Sequence, residues 1–183
     1  MNHYPKCGSD LSAEDAKATE AAEDIRPALI GKKAEHYIFI FDEIDRAAEI
    51  KKGKGVHWNW CALFFAPYWF AYRKMYGWSA FTMFVPAAAG FLLGIIISFV
   101  GDIPESAYEH VGRAIGIGFS IFFGIYGNSM YKKRIDKLAA EAPRYPAQRE
   151  EYIRKKGGVS VVAMILAIII YVGFIALITI PTL

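Results

Sequence analysis

Apolar residues run almost unbroken through three stretches of the chain, 80–100, 111–130 and 159–180, of 21, 20 and 22 residues. At about 1.5 Å per residue each helix would reach roughly 30 Å, the thickness of a bilayer's hydrocarbon core. None holds an acid or a lysine; Arg113 sits inside a boundary, in a first turn from which its side chain can snorkel to the interface. The pattern predicts three transmembrane helices. A fourth apolar stretch, 58–72, has 15 residues, roughly 22 Å as a helix and short of a span. It also contains Pro67, which costs a helix interior one hydrogen bond. Residues 58–78 hold Trp58, Trp60, Trp69 and Trp78, with Tyr72 among several further aromatic residues, and Arg73 and Lys74 follow the apolar stretch. Indole and phenol rings favour the headgroup layer, where the ring is dry and its polar atom wet. Residues 58–79 therefore read as an aromatic anchor, interfacial or shallowly re-entrant; a short fourth span and a soluble core are the alternatives.

The flanks are polar and amphipathic. Ser12 followed by Asp15 suits a helix start, and that helix is expected to end before Pro27. From 34 to 50 a second helix places Tyr37, Ile38, Phe41, Ile44 and Ala48 on one face at spacings of three and four, with Asp42, Glu43, Asp45, Arg46 and Glu49 largely opposite. Its acidic polar face disfavours anionic lipid, so packing on protein is the better-supported role. Gly53-Lys54-Gly55 reads as a hinge. Residues 131–142 continue the second span as helix until Pro143 and Pro146. The predicted organisation is a polar N-terminal region 1–57, the anchor 58–79, a transmembrane hairpin 80–130, a basic loop 131–157 and a last span 158–183: an all-α integral membrane protein.

Charge sets the threading. The connection 101–110 carries no lysine or arginine, whereas 131–157 carries nine, and Lys51, Lys52, Lys54, Arg73 and Lys74 precede the first span. Basic loops stay in the cytoplasm. The expected topology is a cytoplasmic N-terminus, an outer 101–110 turn, a cytoplasmic 131–157 loop and an outer C-terminus. Composition agrees with a lipid environment: 55% hydrophobic, 21% charged and a mean hydropathy of +0.24. The net charge of +3 is not gathered into a nucleic-acid-binding face. Cys7 and Cys61 are isolated and read as reduced thiols.

Small residues recur every four positions in two spans: Pro86, Gly90, Gly94 and Ser98 in the first, and Gly112, Gly116, Ser120, Gly124 and Asn128 in the second. Such stripes stay on one helix face and permit close backbone approach in lipid. They are expected to pack the hairpin, or else to mediate self-association, and leucine at position 116 is expected to disrupt the fold.

Chemistry is sparse. Tyr4-Pro5-Lys6-Cys7-Gly8 resembles one knuckle of a zinc ribbon with tyrosine in the first ligand place, and His3 with Cys7 supplies too few ligands for tetrahedral zinc. No phosphate-binding glycine loop, zincin motif or nucleophile elbow occurs. His36, His57 and His110 are isolated, and the spans hold no acid that would mark a proton path. No cofactor and no catalytic residue is expected.

The run Trp58-Asn59-Trp60-Cys61-Ala62-Leu63-Phe64-Phe65-Ala66-Pro67-Tyr68-Trp69-Phe70-Ala71-Tyr72-Arg73-Lys74-Met75-Tyr76 resembles the hallmark of a bacterial membrane family catalogued as domain of unknown function 2628, with Leu63 for the usual phenylalanine. Asn128-Ser129-Met130-Tyr131 is similar to its later Asn-x-x-Tyr. The resemblance implies a bacterial inner-membrane protein and supplies no activity. The expected partners are the lipid bilayer, a protein docked on the cytoplasmic face, with residues 37–44 the candidate surface, and a second copy of the chain. A non-enzymatic scaffold or accessory subunit is the leading reading, and a small homo-oligomeric transporter or channel component the alternative.

Overall fold

The computed structural model describes residues 25–50, 57–100 and 104–179, and every described element is helical. The helices are α1 (Ile25–Ile30), α2 (Ala34–Glu49), α3 (Trp60–Tyr72), α4 (Tyr76–Val100), α5 (Glu105–Ala140), α6 (Pro146–Lys156) and α7 (Val161–Thr179). The expected helix after Ser12, the zinc-knuckle residues His3, Tyr4 and Cys7, and the hinge Gly53-Lys54-Gly55 all lie outside the described residues.

α4 and α7 are long and apolar enough to cross a membrane. Their outward faces stay uncovered by the rest of the chain, as at Phe91, Val162 and Leu177, each about seven-tenths exposed. Monomeric soluble proteins rarely present continuous apolar surface on this scale. The expected middle span lies wholly inside α5, a single helix of 36 residues. Residues 111–130 do not stand with α4 and α7 by apolarity, because five of the positions that keep them slim or polar are Gly112, Gly116, Ser120, Gly124 and Asn128.

α5 continues past Met130 as the sequence indicates, and its last turns carry the core. Tyr131, Ile135 and Leu138 pack with Leu29 and Ile30 of α1, Tyr37, Ile40 and Phe41 of α2, and Trp69 and Phe70 of α3. The apolar face expected on α2 is therefore occupied within the chain: Tyr37 and Phe41 are buried and Ile38 and Ile44 pack against the core, while Ala48 is exposed. The Tyr37, Ile38, Phe41 and Ile44 side of α2 is thus used within the chain, while Phe39 of the same segment stays exposed. Pro27 lies within α1, whose described residues begin at Ile25. α1 ends at Gly31 in the left-handed region (φ 64°), and Gly31 N–H donates to Pro27 O at 2.9 Å. A side chain there would press on Gly158 Cα, whose own N–H donates to Leu29 O at 2.7 Å. The 131–157 segment thus folds back on α1 as structure, with Tyr152 Oη donating to Leu138 O at 3.1 Å.

α3 is the element that α4, α5 and α7 share, each packing on it more extensively than α4 packs on α5. Pro67 lies inside it, at the cost of one helix hydrogen bond. The clash is relieved at Phe65, whose backbone is non-helical (φ −131°, ψ 35°), so α3 is bent. Pro67 O accepts from Ser79 Oγ at 2.7 Å.

Candidate functional site

Asn59 fixes the start of α3. Its Oδ1 accepts from Ala62 N at 2.9 Å as an N-cap, its Nδ2 donates to Asn128 Oδ1 at 2.8 Å, and its own N–H donates to Gly124 O at 2.8 Å. Asn128 Nδ2 in turn donates to His57 O at 3.0 Å. The far end of α3 is fixed just as closely: Ser160, at the start of α7, donates its N–H to Tyr72 O at 2.8 Å. The N-terminal end of α3 thus meets α5 at Gly124 and Asn128, and the far end meets α7 at Ser160 and α5 through the Trp69–Tyr131 ring contact. Its middle residues Leu63, Phe64, Ala66 and Pro67 instead line a cavity of about 110 Å³ with Gly116 and Ser120, roughly two turns away along α5.

Arg73 follows α3 and is 4% exposed. Its guanidinium carbon lies 4.3 Å from the Tyr37 ring centre, 4.9 Å from Tyr131 and 5.7 Å from Tyr72. Nη1 donates to Tyr131 Oη at 3.2 Å and to Lys32 O at 3.4 Å. Among the described residues no carboxylate pairs with Arg73, and its buried Nε has no hydrogen-bond partner. Each aromatic face contributes about 1–2 kcal/mol where water is excluded. An unmet buried N–H costs about 1–3 kcal/mol. Burial pushes the Tyr131 phenol up to about 12, against the opposing pull of the Arg73 charge.

Beside the caged arginine opens a cleft of about 460 Å³. One end is formed by Lys32, Lys33, Tyr37 and Arg73; the other is apolar, with Phe65, Tyr68 and Trp69 from α3 and Met164 and Ile168 from the first turns of α7. Cys61 is exposed, free and also lines it. Lys33 stands in the left-handed region (φ 64°) as the chain turns into α2. Arg73 holds the neighbouring Lys32 carbonyl and so keeps this turn against the cleft.

The residues expected to anchor the chain in the headgroup layer separate into two groups. Trp58, Trp60 and Trp78 are exposed, whereas Trp69 (7% exposed) belongs to the core and Tyr72 is half-buried against Arg73. Lys74 is engaged within the chain. Its Nζ donates to the carbonyls of Arg154, Lys155 and Gly157 at 3.4, 3.2 and 2.6 Å, capping the C-terminus of α6, where the helix dipole favours a cation. Burial, helped by Arg134, pulls its pKa below the usual lysine range.

The small-residue stripes divide similarly. At Gly90, Gly112 and Gly116 an added Cβ would meet nothing within 4 Å, so leucine at 116 is not met by a neighbouring backbone as expected. Gly94 and Ser120 are half-buried, and the Ser98 side chain is outside the described set. The close approaches are at Gly124, 3.1 Å from Leu63 Cδ1, and at Gly127, where a Cβ would lie 2.8 Å from Ala62 Cβ. Both face α3 and neither faces α4. Asn59, Gly127, Tyr37, Tyr131, Lys32 and Lys33 escape the sequence reading as site residues. Asn59 had one signal, a capping residue between two tryptophans ahead of an apolar run. Among the described residues no three of His, Cys, Asp and Glu converge as a metal site would need.

These features define an all-α protein with two helices able to cross a membrane, organised around a bent aromatic helix that ends in a caged arginine. A family model described as protein of unknown function (DUF2628) matches residues 23–137, the segment that contains α1 to α4 and most of α5, and the chain belongs to that family. Neither a curated protein nor a solved structure matches the chain.

Proposed function

We propose that this chain is a bacterial inner-membrane protein with three spans, α4, the 111–130 part of α5 and α7, and a cytoplasmic N-terminus, serving without chemistry of its own as a scaffold or accessory subunit. The observation that carries the reading is the coupling of a helical layer to the spans. α1, α2, the end of α5 and α6 form one packed body, bolted to the apolar helices through Arg73 and Lys74. Ion pairs from Lys132 to Asp45 and Asp136 at 2.9 and 2.7 Å tie α2 to α5 in the same layer. A body held rigidly against a bilayer is suited to presenting a surface at fixed height and orientation. Phe39 (60% exposed) on α2 and Tyr145 (72% exposed) at the start of α6 are uncovered on this body. With the Tyr37, Ile38, Phe41 and Ile44 side of α2 turned inward, Phe39 and Tyr145 are positions left to meet a partner protein.

Photocrosslinkers placed at Phe39 and Tyr145 in native membranes test the reading. One reproducible foreign protein, lost with Tyr145→Ala or Phe39→Ala, is the expected result; products of this chain alone overturn it. The second reading, a homo-oligomeric transporter or channel component, is favoured by the open faces at Gly90 and Gly112. It requires a defined oligomer in mild detergent that passes solute in liposomes.

A further inference from the structure

We propose that the cleft between α3 and α7 is a binding site for one anionic phospholipid, its phosphate held by Arg73, Lys32 and Lys33 and an acyl chain laid along Phe65, Tyr68, Met164 and Ile168. The two ends of the cleft differ in chemistry as the two ends of such a lipid do. The cationic end has three basic residues and no acid among its lining residues. The Arg73 Nε is buried and without a partner among the described residues, in a side chain whose other contacts are aromatic faces, a phenol and a carbonyl. Guanidinium with two ammonium groups is a usual pairing for a phosphate, which would bring the negative charge that Arg73 finds in no carboxylate among the described residues. Soluble phosphate would leave the apolar arm empty, and a zwitterionic lipid would bring its own cation to a site already rich in them. The arm is built from the first turns of an apolar helix long enough to cross a membrane, so a bilayer lipid reaches it without leaving the leaflet. The site stands whether or not the scaffold reading holds.

The test uses the full chain in mild detergent, with phosphatidylglycerol and phosphatidylcholine of identical acyl chains scored by native mass spectrometry. One phosphatidylglycerol is expected to be retained at least tenfold more tightly than phosphatidylcholine. Lys32→Gln with Lys33→Gln is expected to erase most of that preference, and Ile168→Trp to weaken both lipids by filling the arm; these positions lie outside the core, and an unchanged Tm without lipid confirms the fold of each variant. In a Cys7→Ser background, phosphatidylglycerol is also expected to slow alkylation of Cys61. Equal retention of the two lipids means annular lipid only, and overturns the proposal. So does protection of Cys61 by inorganic phosphate at the concentrations at which phosphatidylglycerol protects, which means a phosphate-ion site, and so does an undiminished preference in the double lysine variant.

Discussion

Asn59 and Asn128 satisfy each other where water does not reach, and removing one strands the other. Asn128→Leu leaves Asn59 Nδ2 and the His57 carbonyl without their partners, and is expected to lower stability by about 2–4 kcal/mol, read as a drop in Tm in mild detergent. The double variant with Asn59→Ala is expected to lose less than the sum of the two single losses, and full additivity would show that the pair is not coupled. The glycines offer a second contrast. Gly127→Ala forces Ala62 aside and is expected to cost more than Gly116→Ala, whose new methyl group finds open space. Tyr131 gives a pH signature. Its phenol is neutral in the folded chain up to about pH 12 but ionises near 10 once unfolded. Between those values the folded state therefore holds the extra proton, so this contribution is whole below pH 10 and disappears as pH rises towards 12, by roughly 3 kcal/mol at most. Alkaline unfolding monitored by phenolate absorbance is expected to be less steep in Tyr131→Phe.

At the scale of elements, α6 depends on a side chain far from it in sequence. Lys74→Met removes the cation from the C-terminal carbonyls of α6 and is expected to speed amide exchange across Pro146–Lys156 while leaving α4 and α7 protected; equal protection of α6 in both proteins would refute the capping role. The apolar runs of α4 and α7 were legible in the sequence because a spanning helix needs an unbroken apolar run, although α4 begins at Tyr76, inside the stretch read as anchor. The continuation of α5 past Met130 was legible from helix periodicity and the prolines that end it. The disposition of α3 was not. A tryptophan facing headgroups and a tryptophan facing a core look alike in sequence, so Trp60 and Trp69 could not be told apart by type. Nor could periodicity reveal the cage, since Tyr37, Arg73 and Tyr131 come from three elements and meet only after folding. The stripe in the second span was visible, but where it packs closely, at Gly124 and Asn128, its partners are Leu63 and Asn59 at the start of α3, and the neighbouring Gly127 meets Ala62.

For the whole molecule, the proposed threading makes a sharp test of the middle span. In a background without Cys7 and Cys61, cysteine at Ser106 is expected to react with an impermeant maleimide from outside the cell, and cysteine at Gln148 only after permeabilisation. Labelling of both positions from one side would remove the 111–130 span from the proposal.

The position of α3 also orders events in time. On the ribosome this bent helix emerges before every apolar helix that later grips it, and α7 emerges last. Until α7 arrives, the Tyr72 carbonyl lacks the Ser160 N–H and Ala71 lacks the Ala167 contact. Half of the hydrophobic wall that faces Arg73 does not yet exist. Of the helices that grip α3, α7 is thus the last to be made, and a chain cut short before residue 161 would leave its central helix held on two sides instead of three.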